Sequence, residues 1–134
     1  ASGVSALSSN TTGLNNTASG VGALQDNLIG NNNTASGVDA LLSNLTGSNN
    51  TVIGISALAS NTTGIGNTAI GANTDSSNFD NSIILGRSAT ATASNEFVSG
   101  SLAFPAGAVN AAVTTSTQTW DVIINGVAQK ILLA

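Results

Sequence analysis

The chain has 134 residues and a formal net charge of −4, with 6% charged and 3% aromatic residues and no His, Cys, Tyr or Met. Its two basic residues, Arg87 and Lys130, exclude an electrostatic nucleic-acid binder, which needs clustered Lys and Arg. No run of about 18 apolar residues exists, so no membrane-spanning helix is expected, and the missing imidazole and thiol remove the commonest catalytic bases and nucleophiles.

The chain opens mid-phrase, at "ASGVSAL", and without Met, as expected of a piece of a longer protein. From there it falls into rows of seventeen: ASGVSALSSNTTGLNNT (1–17), ASGVGALQDNLIGNNNT (18–34), ASGVDALLSNLTGSNNT (35–51) and VIGISALASNTTGIGNT (52–68). The rows align in columns. One column holds Gly3, Gly20, Gly37, Gly54 and Gly71, and another Gly13, Gly30, Gly47 and Gly64. Leu7, Leu24, Leu41 and Leu58 form a third. Asn10, Asn27, Asn44, Asn61 and Asn78 form a fourth, and Thr17, Thr34, Thr51 and Thr68 a fifth. Intrinsic disorder would pair low hydrophobicity with high net charge, whereas here the charge is small and apolar residues recur on schedule.

Seventeen residues are too few for a helical-pair repeat of about 33–47 residues, and suit one coil of a parallel β-roll or β-solenoid. Each coil is expected to carry two short strands and two turns, with "TASGVSAL" as a strand and "NTTG" or "NLTG" followed by "NN" as turns. The Gly columns then mark bends or close coil stacking, and stacked Asn and Thr become hydrogen-bonded ladders about 4.8 Å apart. A thin coil rich in Ala and Gly buries little apolar surface against the ordering entropy. We therefore expect three chains to share a core, with the Leu and Val columns at the seam.

The fifth row, AIGANTDSSNFDNS (69–82), is three residues shorter, and the step from Asn67–Thr68 to Asn81–Ser82 is fourteen. The stretch "NSIILGRSATATASNEFVSGS" (81–101) reads as a last, altered coil, so the repetitive shaft or head spans 1–101. After it, "LAFPAGAVNAA" (102–112) holds the only Pro and reads as a neck. "TWDVII" and "VAQKILLA" are strand-like, and Asn125–Gly126 between them is a hairpin signal. Residues 102–134 are accordingly expected to form a neck and a β-hairpin trimerisation foot, anchored by Trp120, Ile123 and Ile131.

Among the acids, Asp26 and Asp39 fall in different columns, while Asp75 and Asp80 can approach each other across a turn. A carboxylate pair can serve a glycosidase, but the aromatic sugar contacts are missing. Asp75, Asp80 and Asn78 together can offer oxygens to a hard cation, yet the stacked calcium-binding nonapeptide is absent. No catalytic, cofactor or metal site is assigned, and the chain is not expected to be an enzyme.

"NSIILG" (81–86) and "NTAIG" (67–71) resemble the "NSVAIG" phrase in the heads of trimeric autotransporter adhesins. Those heads are parallel β-rolls of three chains with a coil of about fourteen residues; the seventeen-residue rows depart from that length. The rows are more similar to the "NTAxGxxALxxNTTGxxNTA" repeats of phage and giant-virus structural proteins, especially fibres, and of some secreted bacterial proteins. "TWDVIINGVAQKILLA" (119–134) resembles the closing hairpin of phage fibre and virion proteins. This resemblance implies a homotrimeric fibre or decoration at the virion surface. It would project an adhesive surface toward a host glycan or protein, alongside other virion proteins, without membrane insertion. Two alternatives stand beside it: the head of a bacterial surface adhesin, and an ice-binding β-solenoid using the Thr17–Thr34–Thr51–Thr68 column.

Overall fold

The phrase Thr-Ala-Ser and its variants form one edge of every coil. In the computed structural model, which describes residues 1–100 and the backbone of two later strands, these phrases are β1 (Thr17–Ser19), β2 (Thr34–Ser36), β3 (Thr51–Ile53), β4 (Thr68–Ile70), β5 (Ile83–Leu85) and β6 (Phe97–Ser99). They make one parallel sheet in chain order, with Thr17 opposite Thr34, Thr34 opposite Thr51 and Thr51 opposite Thr68. Each connection between neighbours is a whole coil, so the chain is an all-β solenoid. The middle residue of each of the first five strands points inward and is buried (Ala18, Ala35, Val52, Ala69, Ile84), while most of its flanking residues face water. That is the period-two alternation of a sheet with one solvated face.

One strand per coil replaces the expected two. "SGVSAL" does not continue the strand, because its backbone alternates in handedness. Gly20 has φ 134°, Gly22 φ 67° and Leu24 φ 52°, and the next coil repeats the pattern at Gly37, Asp39 and Leu41. This curving run still bonds coil to coil: Gly22 N–H donates to Val4 O at 2.9 Å and Leu24 N–H to Ala40 O at 3.0 Å. Gly37 has no substitute, since a Cβ there would collide with the carbonyl of Gly54 in the next coil and its φ of 141° is closed to L side chains.

The Leu column lies inside the coil. Leu24, Leu41 and Leu58 are 0% exposed in a single chain, which corrects their expected place at a seam between chains. They pack with the Ala23–Ala40–Ala57 column and the strand centres in one cluster. The left-handed conformation costs a non-glycine residue about 1–2 kcal/mol, and burying a Leu returns about 1.5–3 kcal/mol, so burial and backbone strain are of comparable size at these positions. The Val column, by contrast, faces water at Val4, Val21 and Val38.

The coil length tapers. Strand register advances by seventeen residues up to Thr68, then fifteen to Ile83 and fourteen to Phe97. The fourteen-residue step expected from Asn67–Thr68 to Asn81–Ser82 is therefore fifteen. Asn67 Oδ1 accepts from Ser82 N–H at 2.9 Å, and Asn81 stands beside Gly66. The shortening falls between the Leu and Asn columns. Asp75 takes the Leu place, with its N–H donating to Ala89 O at 3.0 Å, and Ser76 takes the Asn place, with its Oγ donating to Asn61 Oδ1 at 3.2 Å. Asn78 is thus outside the Asn column and sits exposed at φ 66°. The altered stretch from 81 onward joins the stack as the last coil through β5 and β6.

Beyond residue 100, β7 (Thr119–Ile124) and β8 (Val127–Leu132) pair antiparallel, with Trp120 opposite Ile131 and Ile123 opposite Ala128. The 101/102 boundary, the neck at 102–112, the Asn125–Gly126 turn and the side chains of Trp120, Ile123 and Ile131 lie outside the described residues.

These positions predict unequal costs for one chemical change. Leu41→Ala should lower unfolding free energy by about 2–5 kcal/mol, whereas Leu14→Ala, at a residue 65% exposed, should change it by less than about 0.5 kcal/mol. Urea denaturation of both variants measures the difference; equal losses would contradict the inward placement of Leu41.

Candidate functional site

The most specific chemistry of the solenoid lies in two files of buried Asn. In the first, Asn27 Nδ2 donates to Asn10 Oδ1 at 2.6 Å, Asn44 Nδ2 to Asn27 Oδ1 at 2.7 Å and Asn61 Nδ2 to Asn44 Oδ1 at 3.0 Å. Each also donates to a carbonyl three residues ahead: Asn27 to Gly30 O, Asn44 to Gly47 O and Asn61 to Gly64 O. A carboxamide has two N–H donors and one carbonyl oxygen. Asn27 and Asn44 use both donors and accept from the coil above.

The second file was not singled out from the sequence. Asn33, Asn50 and Asn67 are fully buried, and the Oδ1 of each accepts the backbone N–H of the equivalent residue one coil on: Asn50, Asn67 and Ser82. Their Nδ2 groups reach up one coil to Gly47 O, Gly64 O and Phe79 O at 2.8, 2.9 and 2.7 Å. The two files therefore converge on the second Gly column. Gly47 O accepts from both Asn44 and Asn33, and Gly64 O from both Asn61 and Asn50. A Cβ on Gly30 would strike Gly47 O and Asn27 Oδ1 together, so this column serves close approach. The signal for the second file was present in the recurring "NNT" and "GNT" phrases, where the Asn preceding each strand Thr stays Asn through four coils. Among the described residues, every buried side-chain N or O has a hydrogen-bond partner.

The remaining Asn column faces out. Asn15, Asn32 and Asn49 are exposed, take left-handed φ of 57–60°, and link only loosely, at 3.2 and 3.4 Å. The Thr column also faces out, at Thr17, Thr34 and Thr51, with Thr68 half-buried. Its neighbour file on the same sheet face begins as Ser19 and Ser36 but turns apolar at Ile53 and Ile70.

The acids do not converge. Asp75 Oδ1 accepts from Ser60 Oγ and from Ser77 N–H, both at 3.0 Å, while Asp80 Oδ1 accepts from Ile65 N–H at 2.8 Å. Asn78 Oδ1 accepts from Thr62 N–H at 2.5 Å and from Thr63 N–H at 3.2 Å. The carboxylates and the carboxamide that looked able to meet across a turn each tie the short coil to the coil before it. Glu96 folds back on Thr92, accepting from its N–H at 2.7 Å and its Oγ1 at 2.9 Å, and these two bonds hold its carboxyl below the ordinary Glu range.

No family model matches the chain, and comparison with curated proteins and with solved structures returns no match.

Two outcomes follow. Asn44→Asp removes two buried donors and places a charge against Asn27 Oδ1, so it should destabilise more than Asn44→Ala. Asn49→Asp, on the exposed file, should be close to neutral; thermal melts of the three variants at neutral pH give the order. For Glu96 the folded-state value is depressed, so its contribution is present above the ordinary Glu range and is lost as pH falls through the lowered value. An NMR titration of its carboxyl should place the midpoint below that of a free Glu, and Thr92→Val should move it upward.

Proposed function

We propose that this chain is a structural segment of a virion fibre, of the tail, head or decoration type, that assembles as a homotrimer and projects an adhesive surface for host attachment. The observation that carries this reading is the closure of every coil onto the next, down to the buried carboxamides. A rod bonded in this way resists local opening and proteolysis and repeats each outward residue once per coil. Such a rod suits projection and display. The phage-fibre likeness of the repeats and of residues 119–134 supports placing it on a virion, with other virion proteins as neighbours. On this reading Trp120, Ile123 and Ile131 register three chains as a foot.

Contact with a host glycan or protein falls to the outward turn residues, Thr11 and Thr12 in the first coil, Leu28 and Ile29 in the second, Leu45 and Thr46 in the third. Weak single contacts there multiply by coil and by chain into avidity. Engagement of Asp75 and Asp80 in coil-to-coil bonds favours this binding role over catalysis. The head of a bacterial surface adhesin would use the same geometry on a cell surface.

The outward Thr file gives ice binding as a second reading, since regular hydroxyls on a flat sheet face suit an ordered water lattice. The neighbouring file weighs against it, because it changes from Ser to Ile after two coils. Light scattering on the full chain tests the main reading, with a mass of three chains expected and a folded monomer contradicting it. Thermal hysteresis in the monomer would favour the ice-binding solenoid instead.

A further inference from the structure

Two apolar ridges, staggered along the solenoid, approach its first Gly column from either side. One is Val4, Val21, Val38 and Ile55, each between 42% and 71% exposed. The other lies on the sheet face: Ile53 and Ile70 stand in the file next to the Gly column, and the ridge then crosses the face to Ile83 and Phe97, which continue the Thr file from Thr68; each is between 45% and 69% exposed. Gly20, Gly37, Gly54 and Gly71 leave a strip of half-buried backbone with no side chain, which both ridges flank together at Gly54, between Ile53 and Ile55. We infer that these two ridges and the Gly strip between them are the seam along which further copies of this chain pack. The inference rests on the trimeric fibre reading and gives that reading its contact surface.

Three observations favour a second copy as the occupant. The first is area: with about half of each side chain in water, the ridges offer on the order of 700 Å² of apolar surface. That exceeds the roughly 300–600 Å² of the largest patch on a typical monomer and approaches the roughly 800 Å² each partner contributes to a standard interface. The second is period. The first ridge repeats once per coil in one file, about 4.8 Å apart, so a straight partner with the same spacing meets each of its residues in turn, and a second copy has that spacing. The third is charge: through the five coils from Val4 to Ala72 the first ridge carries no charge, and Arg87 follows it only in the last coil. Like copies therefore meet along this ridge without repulsion. A ridge of one copy laid in the Gly strip of the next is a heterologous contact, which closes when three copies complete a ring.

The test is light scattering on the full chain and on Ile53→Lys/Ile55→Lys, with Thr46→Lys as a control outside both ridges. The expected result is a three-chain mass for the native chain and the control, and a threefold lower mass for the double variant with an unchanged circular dichroism spectrum. A native three-chain mass that survives the double substitution would overturn the seam and leave the trimeric fibre standing; a native monomer would overturn both. Because the chain has no Cys, single Ile55→Cys and Thr46→Cys variants give a second readout that tolerates poor folding of the double variant. A short bismaleimide should join chains through Cys at 55 and not at 46. Joining at 46 alone, within a three-chain assembly, would also overturn the seam.

Discussion

Backbone carbonyls that each accept two carboxamide N–H groups set the terms for the rest of the solenoid. Gly47 O and Gly64 O are held by one Asn from their own coil and one from the coil before. Such convergence works only where the chain has no Cβ in the way, and only when both Asn recur at the same distance from the Gly. A buried carboxamide left half-bonded would cost about 1–3 kcal/mol per unsatisfied group. Drift in coil length is therefore penalised at several places at once. The seventeen-residue period is the sequence trace of that penalty.

The taper shows how the constraint can be relaxed. Where the coil shortens to fifteen, Ser76 replaces Asn and keeps one bond to Asn61, while Asp75, at the Leu place, accepts from Ser60 Oγ. In the next step Ser82 stands in the second Asn file and its Oγ still donates to Ala93 O at 3.3 Å, the geometric successor of the Asn67–Phe79 bond. Hydroxyls thus take over from carboxamides as the cross-section narrows. The core narrows with them, from Leu58 to Ala89 and Ala91, all fully or almost fully buried.

Much of this was legible in the residues. The period, the parallel stacking and the Asn10–Asn27–Asn44–Asn61 ladder follow from counting, because like residues must stack when every coil has the same length. The inward turn of the Leu column was not legible. A Leu that follows small residues reads as a strand position, and nothing in its identity announces a left-handed φ. The expectation of Leu at a seam between chains came from the small apolar surface of a thin Ala- and Gly-rich coil; Leu24, Leu41 and Leu58 instead fill the interior of one chain beside the two Asn files. The fourteen-residue step failed for a related reason: "NT" and "NS" look alike as letters, whereas the register is set by which carboxamide accepts which amide, and Ser82, not Asn81, inherits that bond. Asn78 was misplaced in the same way, by counting from Asn61 across a coil that had lost two residues.

The central claim is that each coil lies on the next in register, one backbone bond at a time. Amide hydrogen exchange by NMR tests it most directly. The account predicts strong protection recurring every seventeen residues at Thr17, Thr34 and Thr51, whose N–H groups donate to Asn33, Asn50 and Asn67 at 2.8 Å, and shifting to a fifteen-residue step at Thr68 and Ile83. Protection that lacks this period, or that is confined to residues 119–132, would contradict it.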